Sequence, residues 1–175
     1  MRSLKKEKKE KNVNNLIMKK ILILLVGFLL LSFTIAEEDK KRNDLPLNKR
    51  NLWKVINDLE IKFPEIAFAQ ALLESGDFKS DLARNNNNLF GMKKPSKRST
   101  TADEKTRRGY AVYDHWIESI KDYKLYQEFV IERNKIANKY QYVSYIDRTY
   151  AEINDYSKRL NRVIKEHKFI INSYE

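Results

Sequence analysis

One glutamate near the end of a predicted helix has the right surroundings for acid catalysis. A helix that begins at Pro64 places Glu74 on the same face as Gln70. Ala67 and Ala71 share that face and are small enough to let other groups approach. The negative end of the helix dipole and partial burial would both raise the pKa of a carboxyl group there. A carboxylic acid that stays protonated near neutral pH can protonate a departing sugar oxygen. The alternative interpretation of Glu74 is an ordinary surface glutamate at a helix end.

Glycine is rare in this chain and therefore marks backbone with special geometry. Of the four glycines, three lie outside the N-terminal apolar segment, namely Gly76, Gly91 and Gly109. Glycine tolerates the positive φ that other residues avoid, so each predicts a tight turn or a close approach. Three such points around Glu74 indicate a shaped groove. Ordinary helix caps and turns are the alternative, and this alternative fits Gly76 well.

The composition excludes several classes of chemistry. The 175-residue chain contains no Cys, two His and four Gly. The absence of Cys removes disulfides, thiolate metal ligands and a cysteine nucleophile, and His115 and His167 lie in dissimilar settings. Four glycines are too few for a Gly-rich phosphate-binding loop. We therefore expect neither a metal nor a cofactor.

The net charge of +11 is unevenly distributed along the chain. Residues 1–20 hold eight basic and two acidic residues, whereas residues 37–175 hold 27 basic and 22 acidic ones. The folded part is thus only mildly basic, which suits an anionic partner such as a cell wall, a membrane surface or nucleic acid without choosing among them. A nucleic-acid partner is not expected, because the mature charge is nearly balanced and the chain carries an export signal.

That signal is the pattern of residues 1–36. Lys19 and Lys20 precede an apolar run at 21–36, which ends in small residues at Ala36. The pattern predicts a secretory signal peptide, with Met18 as an alternative start. The run is shorter than the about 20 residues of a membrane span, and an uncleaved signal anchor is the alternative. We expect export to the periplasm or the cell exterior, with residues 37–47 as a linker.

The hydrophobic pattern of residues 48–175 predicts one mainly α-helical domain. Helical spacing indicates helices around 52–59, 64–76, 80–84, 116–130, 140–150 and 156–167. Between residues 93 and 114 this periodicity fails. The stretches Ser99 to Thr101 and Tyr110 to Tyr113 are expected to be extended and to form a small β-hairpin lobe.

Four sequence blocks occur in this domain in a fixed order. They read Ala-Gln-Ala-Leu-Leu-Glu-Ser-Gly at 69–76, Asn-Asn-Leu-Phe-Gly-Met-Lys at 87–93, Tyr-Ala-Val-Tyr-Asp-His-Trp-Ile-Glu-Ser-Ile at 110–120 and Tyr-Ala-Glu-Ile-Asn-Asp-Tyr at 150–156. Over about residues 50–168 the chain resembles the glucosaminidase family of peptidoglycan hydrolases, glycoside hydrolase family 73. The resemblance implies a lysozyme-like helical fold with a β lobe, and cleavage of the glycan strand after N-acetylglucosamine.

The resemblance also implies an active site centred on Glu74 as the general acid, with Tyr150 as a second catalytic position. Glu104 in the β lobe is the candidate second carboxylate, and its neighbour Asp103 competes for that role. Glu104 would activate water and give inversion, or the substrate's 2-acetamido group would attack with support from Tyr150. A solvated loop charge is a further interpretation of Glu104. Substrate-binding residues are expected to be Gln70, Asn88, Phe90, Tyr110 and Tyr113.

The chain departs from the family pattern at three places. Asp77-Phe78 replaces Trp-Gly, His115 replaces Ser, and Glu-Ile-Asn at 152–154 replaces Thr-Asp-Pro. Two other functions stay open, a lytic transglycosylase and a non-catalytic cell-wall-binding protein. The expected partner is the peptidoglycan glycan strand, bound by a monomer that contacts a membrane only through an uncleaved N-terminal anchor.

Overall fold

The chain is represented by a computed structural model that describes residues 18–33, 45–149 and 155–173. It divides into two compact units, residues 1–45 and 46–175. In the first unit, residues 18–33 form helix α1, whose side chains are exposed. Within the described ranges, no helix has both the length and the apolar character needed to span a membrane. The predicted cleavage position after Ala36 lies outside the described residues.

The second unit is mainly helical and carries one small antiparallel sheet in its described part. Its elements are α2 (Lys49–Asp58), α3 (Pro64–Glu74), α4 (Asp81–Asn86), β1 (Glu104–Lys105), β2 (Ala111–Val112), α5 (Trp116–Asn134), α6 (Lys139–Thr149), α7 (Tyr156–Glu166) and α8 (Lys168–Asn172). The predicted mainly α fold with a small β-hairpin lobe is confirmed. Helix α8 was not predicted.

Helix α3 is the centre of this unit. Pro64 occupies its first turn, where a missing N–H costs nothing, and Glu65 in the same turn suits the helix dipole. Every residue from Ile66 to Leu72 is buried, as expected for a helix enclosed on all sides. Helices α2 and α7 both pack against it. The packing of α3 on all sides therefore fixes the position of its last residue, Glu74.

An apolar cluster joins α3 to the helices that follow the β lobe. Its buried members are Ile66, Ala69, Val130, Tyr142, Ile146, Tyr156 and Leu160. Truncation of a buried leucine such as Leu160 costs about 2–5 kcal/mol, because the transfer free energy is lost and a cavity remains. The cluster brings the start of α7 against α3, which places Tyr156 beside the end of that helix.

The β lobe consists of a hairpin and the loop that precedes it. Strand β1 pairs antiparallel with β2, with Glu104 opposite Val112 and Lys105 opposite Ala111. On the other side of β2, the backbone N–H of Ala111 donates to the carbonyl of Met92 at 2.9 Å. The positive φ expected at the three glycines is confirmed, with values of 56° at position 76, 61° at position 91 and 82° at position 109.

The first predicted strand was placed wrongly. Ser99 to Thr101 is not part of the sheet, and β1 begins at Glu104. The Thr101 hydroxyl donates to the backbone carbonyl of Glu118 at 2.7 Å, and the Arg98 guanidinium donates to the carbonyl of Ser99 at 2.8 Å. These bonds tie the segment to α5 and to a side chain, so that its backbone does not pair with β2.

Three side chains fasten the lobe to α5, and we call them the lobe anchor: Arg98, Tyr113 and Asp122. Asp122 is fully buried and accepts two bonds from the Arg98 guanidinium, at 2.6 Å and 3.2 Å. The Tyr113 hydroxyl donates to the same carboxylate at 2.7 Å. Burial and the Asp122 charge raise the pKa of Tyr113 far above its ordinary value. The phenol therefore remains a neutral donor.

His115, which stands where the family pattern has Ser, caps the start of α5. The backbone N–H of Ile117 donates to His115 Nδ1 at 3.3 Å, so the ring caps the start of α5. Burial lowers the pKa of His115, which favours the neutral ring that can accept this bond.

Candidate active site

Glu74 ends α3 and receives a short hydrogen bond from the start of α7. The Tyr156 hydroxyl donates to Glu74 Oε1 at 2.6 Å. Tyr156 is 3% exposed, whereas Glu74 is half-buried. Burial, together with the Glu74 charge, raises the pKa of Tyr156 far above its ordinary value, so the phenol stays protonated. A hydrogen bond donated to a carboxylate favours its ionised form, which opposes the effect of burial on Glu74.

Tyr156 belongs to a buried sequence of hydrogen bonds that we call the tyrosine–glutamine chain: Tyr142, Tyr123, Gln70 and Tyr156. The hydroxyls of Tyr142 and Tyr123 lie 2.8 Å apart, and Tyr123 donates to Gln70 Oε1 at 2.6 Å. Gln70 Nε2 then donates to the Tyr156 hydroxyl at 3.4 Å. An amide nitrogen cannot accept, so this orientation of Gln70 directs the Tyr156 proton toward Glu74.

The backbone at Gly91 approaches the other carboxylate oxygen of Glu74. A Cβ built at this position would lie 3.9 Å from Glu74 Oε2. The preceding residue, Phe90, is fully buried and stacks on Tyr123 with ring centroids 4.1 Å apart. The loop is therefore held against the tyrosine–glutamine chain, and a side chain at position 91 would be at ordinary contact distance from Glu74.

Asn88 joins this loop to the β lobe. Its Nδ2 donates to the carbonyls of Met92 at 2.8 Å and Ala111 at 3.0 Å, and its Oδ1 accepts from the N–H of Met92 at 3.0 Å. Asn88, Phe90 and Tyr113 are all buried, and the contacts that the structure shows for them lie within the protein. Their direct contact with substrate stays a prediction.

The two remaining lobe residues of the predicted site are more accessible. Tyr110 is half-buried, and Lys93 Nζ lies 5.8 Å from the centre of its ring. Glu104 is exposed on β1 and makes no side-chain hydrogen bond or ion pair in the part of the chain that the structure describes. Its competitor Asp103 accepts a bond from the backbone N–H of Asp114 at 3.2 Å, which gives it a structural role. Tyr150 lies outside the described residues.

Tyr156 is the contact that reasoning from sequence missed. The fourth block ends on Tyr156, whereas the predicted catalytic position is its first residue, Tyr150. A signal was available, because Tyr156 shares helical spacing with the apolar residues Leu160 and Val163. That spacing places a phenol on the buried face of α7, where a polar partner is required.

Within residues 18–33, 45–149 and 155–173, no group of three or more His, Asp or Glu side chains is arranged to hold a metal ion.

Comparison with known proteins complements this geometry. The family model described as mannosyl-glycoprotein endo-beta-N-acetylglucosaminidase matches residues 51–169, a range that includes Glu74, Glu104 and Tyr156. Among solved structures, the chain is similar to the catalytic domain of the autolysin Auto from Listeria monocytogenes. The two are 21% identical, with a TM-score of 0.47, and the match covers 78% of this chain and 95% of that one. A search of curated proteins finds no match.

Proposed function

Because the chain belongs to the glucosaminidase family of glycoside hydrolases, we propose that it is an exported endo-β-N-acetylglucosaminidase that cuts peptidoglycan strands after N-acetylglucosamine. The observation that carries this proposal is the bond from the Tyr156 hydroxyl to Glu74 at the end of a buried helix. A half-buried carboxyl group with a neutral donor beside it is suited to release and regain a proton.

In the proposed reaction, Glu74 protonates the glycosidic oxygen as the bond to the sugar breaks. Negative charge then develops on the Glu74 carboxylate. The Tyr156 hydroxyl already points at Oε1, so its hydrogen bond strengthens as that charge forms and needs no rearrangement. Gln70 keeps Tyr156 in this orientation because its amino group faces the phenol oxygen. Tyr156 therefore positions Glu74 and stabilises its conjugate base.

Two routes are open for the attack on the anomeric carbon. In the first, Glu104 acts as a base that activates water. This carboxylate is exposed on the β lobe, which suits a base that must approach a bound sugar. In the second, the 2-acetamido group attacks and Tyr150 supports the site.

The variants Glu104→Gln and Tyr150→Phe separate these routes. If Glu104 is the base, Glu104→Gln abolishes turnover, and added azide restores a reaction that yields an α-glycosyl azide. If the acetamido group attacks, Glu104→Gln is mild and Tyr150→Phe is severe. Melting temperatures of both variants are compared with the wild type before their kinetics are interpreted.

Product analysis tests the proposed activity itself. Purified peptidoglycan is digested, its new ends are reduced with borohydride, and the fragments are identified by mass spectrometry. We expect N-acetylglucosaminitol ends, formed equally well in the presence of a chelator. Anhydromuramic ends would instead assign the chain to the lytic transglycosylases. Binding to peptidoglycan without any new ends would identify a wall-binding protein.

Export is proposed from the pattern of residues 1–36, in which Lys19 and Lys20 precede an apolar run. N-terminal sequencing of the exported protein is expected to begin at Glu37. A membrane-bound product that keeps residues 18–36 would establish an uncleaved anchor.

A further inference from the structure

A depression of about 530 Å³ lies between the start of α4 and the turn of the β-hairpin. We call it the turn pocket. The hairpin contributes Arg107, Arg108 and Tyr110 to its wall, and α4 contributes Asp81 and Leu82. Its volume falls within the about 300–1,000 Å³ typical of sites for small ligands.

The backbone holds the two arginines in place. Gly109 N–H donates to the Thr106 carbonyl at 2.8 Å, and Thr106 N–H donates to the Tyr110 carbonyl at 2.8 Å. Arg107 and Arg108 therefore occupy the centre of a closed turn. Gly109 completes the turn with a φ of 82°, a value that glycine adopts without strain. The hydrogen-bonded turn thus fixes the backbone that carries both arginine side chains.

These guanidinium groups have no partner within the described residues. Arg107 and Arg108 are exposed and form no ion pair or side-chain hydrogen bond there. Other cations of the lobe are engaged, since Arg98 is paired with Asp122 and Lys94 Nζ donates to the Asp103 carbonyl at 2.7 Å. The turn pocket therefore offers positive charge that the lobe's own described acidic residues do not neutralise.

We propose that the turn pocket binds the carboxylates of the peptide stems that peptidoglycan strands carry, so that stem-bearing glycan is the preferred substrate. The identity of the ligand rests on the proposed function. The planar fork of a guanidinium matches a carboxylate through two parallel bonds. Leu82 and the Tyr110 ring supply apolar surface for short aliphatic side chains.

The acidic residue in the wall favours a peptide over a phosphate polymer. Asp81 lines the same depression as Arg107 and Arg108. Its carboxylate would repel a chain of phosphates, whereas it attracts the free amino group of the diamino acid in a stem peptide. An open depression lined by charges of both signs thus suits a short zwitterionic peptide.

A binding experiment tests the proposal without reference to catalysis. The probe is a fluorescent stem tetrapeptide, titrated with the full-length protein at low ionic strength and followed by anisotropy. The double variant Arg107→Ala/Arg108→Ala is expected to raise Kd about tenfold, the effect of losing one charge-assisted pair. The matched control is Arg162→Ala/Lys165→Ala, which removes two exposed charges from α7 and should leave Kd unchanged.

The chemistry of the probe provides a second control. A tetrapeptide whose carboxylates are converted to amides is expected to lose its affinity for the wild type. No binding by the wild type, or equal Kd values for all proteins, would overturn the proposal. So would stronger binding of a polyglycerol phosphate that depends on the same two arginines, because it would identify a phosphate polymer as the ligand.

Kinetics separate this proposal from the proposed function. Intact glycan strands are compared with strands whose stems have been removed by an amidase. The pocket variant should raise KM about tenfold only on the stem-bearing strands and leave kcat unchanged. An equal rise on both substrates would overturn stem recognition. If the wild type cleaves neither substrate, the proposed hydrolysis fails, and the binding experiment still decides the ligand.

Discussion

Two carboxylates of the domain accept a hydrogen bond from a buried tyrosine, and their other surroundings differ. Asp122 is fully buried and also accepts two bonds from the Arg98 guanidinium. Glu74 is half-buried, and its tyrosine continues into a chain of neutral groups. A guanidinium partner holds a carboxylate in its charged form, whereas a neutral donor permits the proton to leave and return. The comparison separates a structural carboxylate from one suited to catalysis.

The tyrosines themselves do not account for the difference. Burial and the adjacent carboxylate raise the pKa of both Tyr113 and Tyr156, so each is a neutral donor at physiological pH. The third hydrogen-bonding group differs between the two sets: it is Arg98 beside Asp122 and Gln70 beside Tyr156. The neutral amide of Gln70 orients Tyr156 without itself adding charge, and the charge of Arg159 also acts on this tyrosine. The lobe anchor and the tyrosine–glutamine chain thus both hold a tyrosine against a carboxylate. The first stabilises the fold, whereas the second positions the candidate acid.

The largest effect on activity is expected from Glu74→Gln. An amide cannot donate the proton that the leaving oxygen needs, so turnover of peptidoglycan should fall by about 10²–10⁴-fold. The melting temperature should stay near that of the wild type, because the amide oxygen still accepts from Tyr156 and an unfavourable charge at the helix end is removed. A folded variant with wild-type turnover would end the assignment of Glu74 as the acid.

Replacing the other carboxylate, Asp122, by its amide should lower the stability of the fold. Asp122→Asn removes the fully buried charge that compensates Arg98, and the free energy of unfolding should fall by about 3–5 kcal/mol in urea denaturation. The matched control is Asp58→Asn, which breaks a more exposed ion pair with Lys54 and should cost at most about 1 kcal/mol. Equal losses in the two variants would show that the lobe anchor does not stabilise the fold through its charge pair.

Tyr156→Phe is expected to change the pH dependence of the reaction. The variant loses the hydrogen bond that favours ionised Glu74, so the pKa of Glu74 should rise. A general acid works in its protonated form, and its activity falls as pH rises through this pKa. The alkaline limb of kcat/KM should therefore move to higher pH, with a loss of roughly tenfold at the optimum.

The control for this variant is Tyr126→Phe, which makes the same chemical change one turn along α5 from Tyr123 and outside the tyrosine–glutamine chain. It should lower stability slightly and leave the pH profile in place. If the alkaline limb stays unchanged in Tyr156→Phe, the tyrosine does not tune Glu74.

The smallest effect is expected from Gly91→Ala. A positive φ of 61° disfavours alanine by about 1 kcal/mol, whereas the added methyl group finds ordinary contact distance to Glu74 Oε2. Gly109→Ala has a similar backbone cost, and its methyl group meets nothing within 4 Å. Thermal unfolding should therefore show nearly equal losses. A much larger loss at position 91 would show that the loop tolerates no addition beside Glu74.

Much of the fold could be predicted from local patterns. Pro64 and Gly76 bracket α3 as expected, and the helical spacing after Trp116 corresponds to α5. These features depend on residues close together in the chain, whose backbone preferences act wherever the segment lies. The order of the four blocks identified the family, which the match over residues 51–169 confirms. The strand predicted at Ser99 to Thr101 does not form, because this segment is hydrogen-bonded to α5 through the Thr101 hydroxyl.

By itself, the sequence determined the family, the helical class, the glycine turns and Glu74 as the candidate acid. Only the tertiary structure decided which groups surround that acid. Tyr156 lies 82 positions from Glu74, and Tyr123 lies 53 positions from Gln70. Whether two such side chains meet depends on how α3, α5 and α7 pack, and no local pattern encodes that packing. The hydrogen bond from Tyr156 to Glu74 and the ion pair between Arg98 and Asp122 are therefore properties of the packed helices.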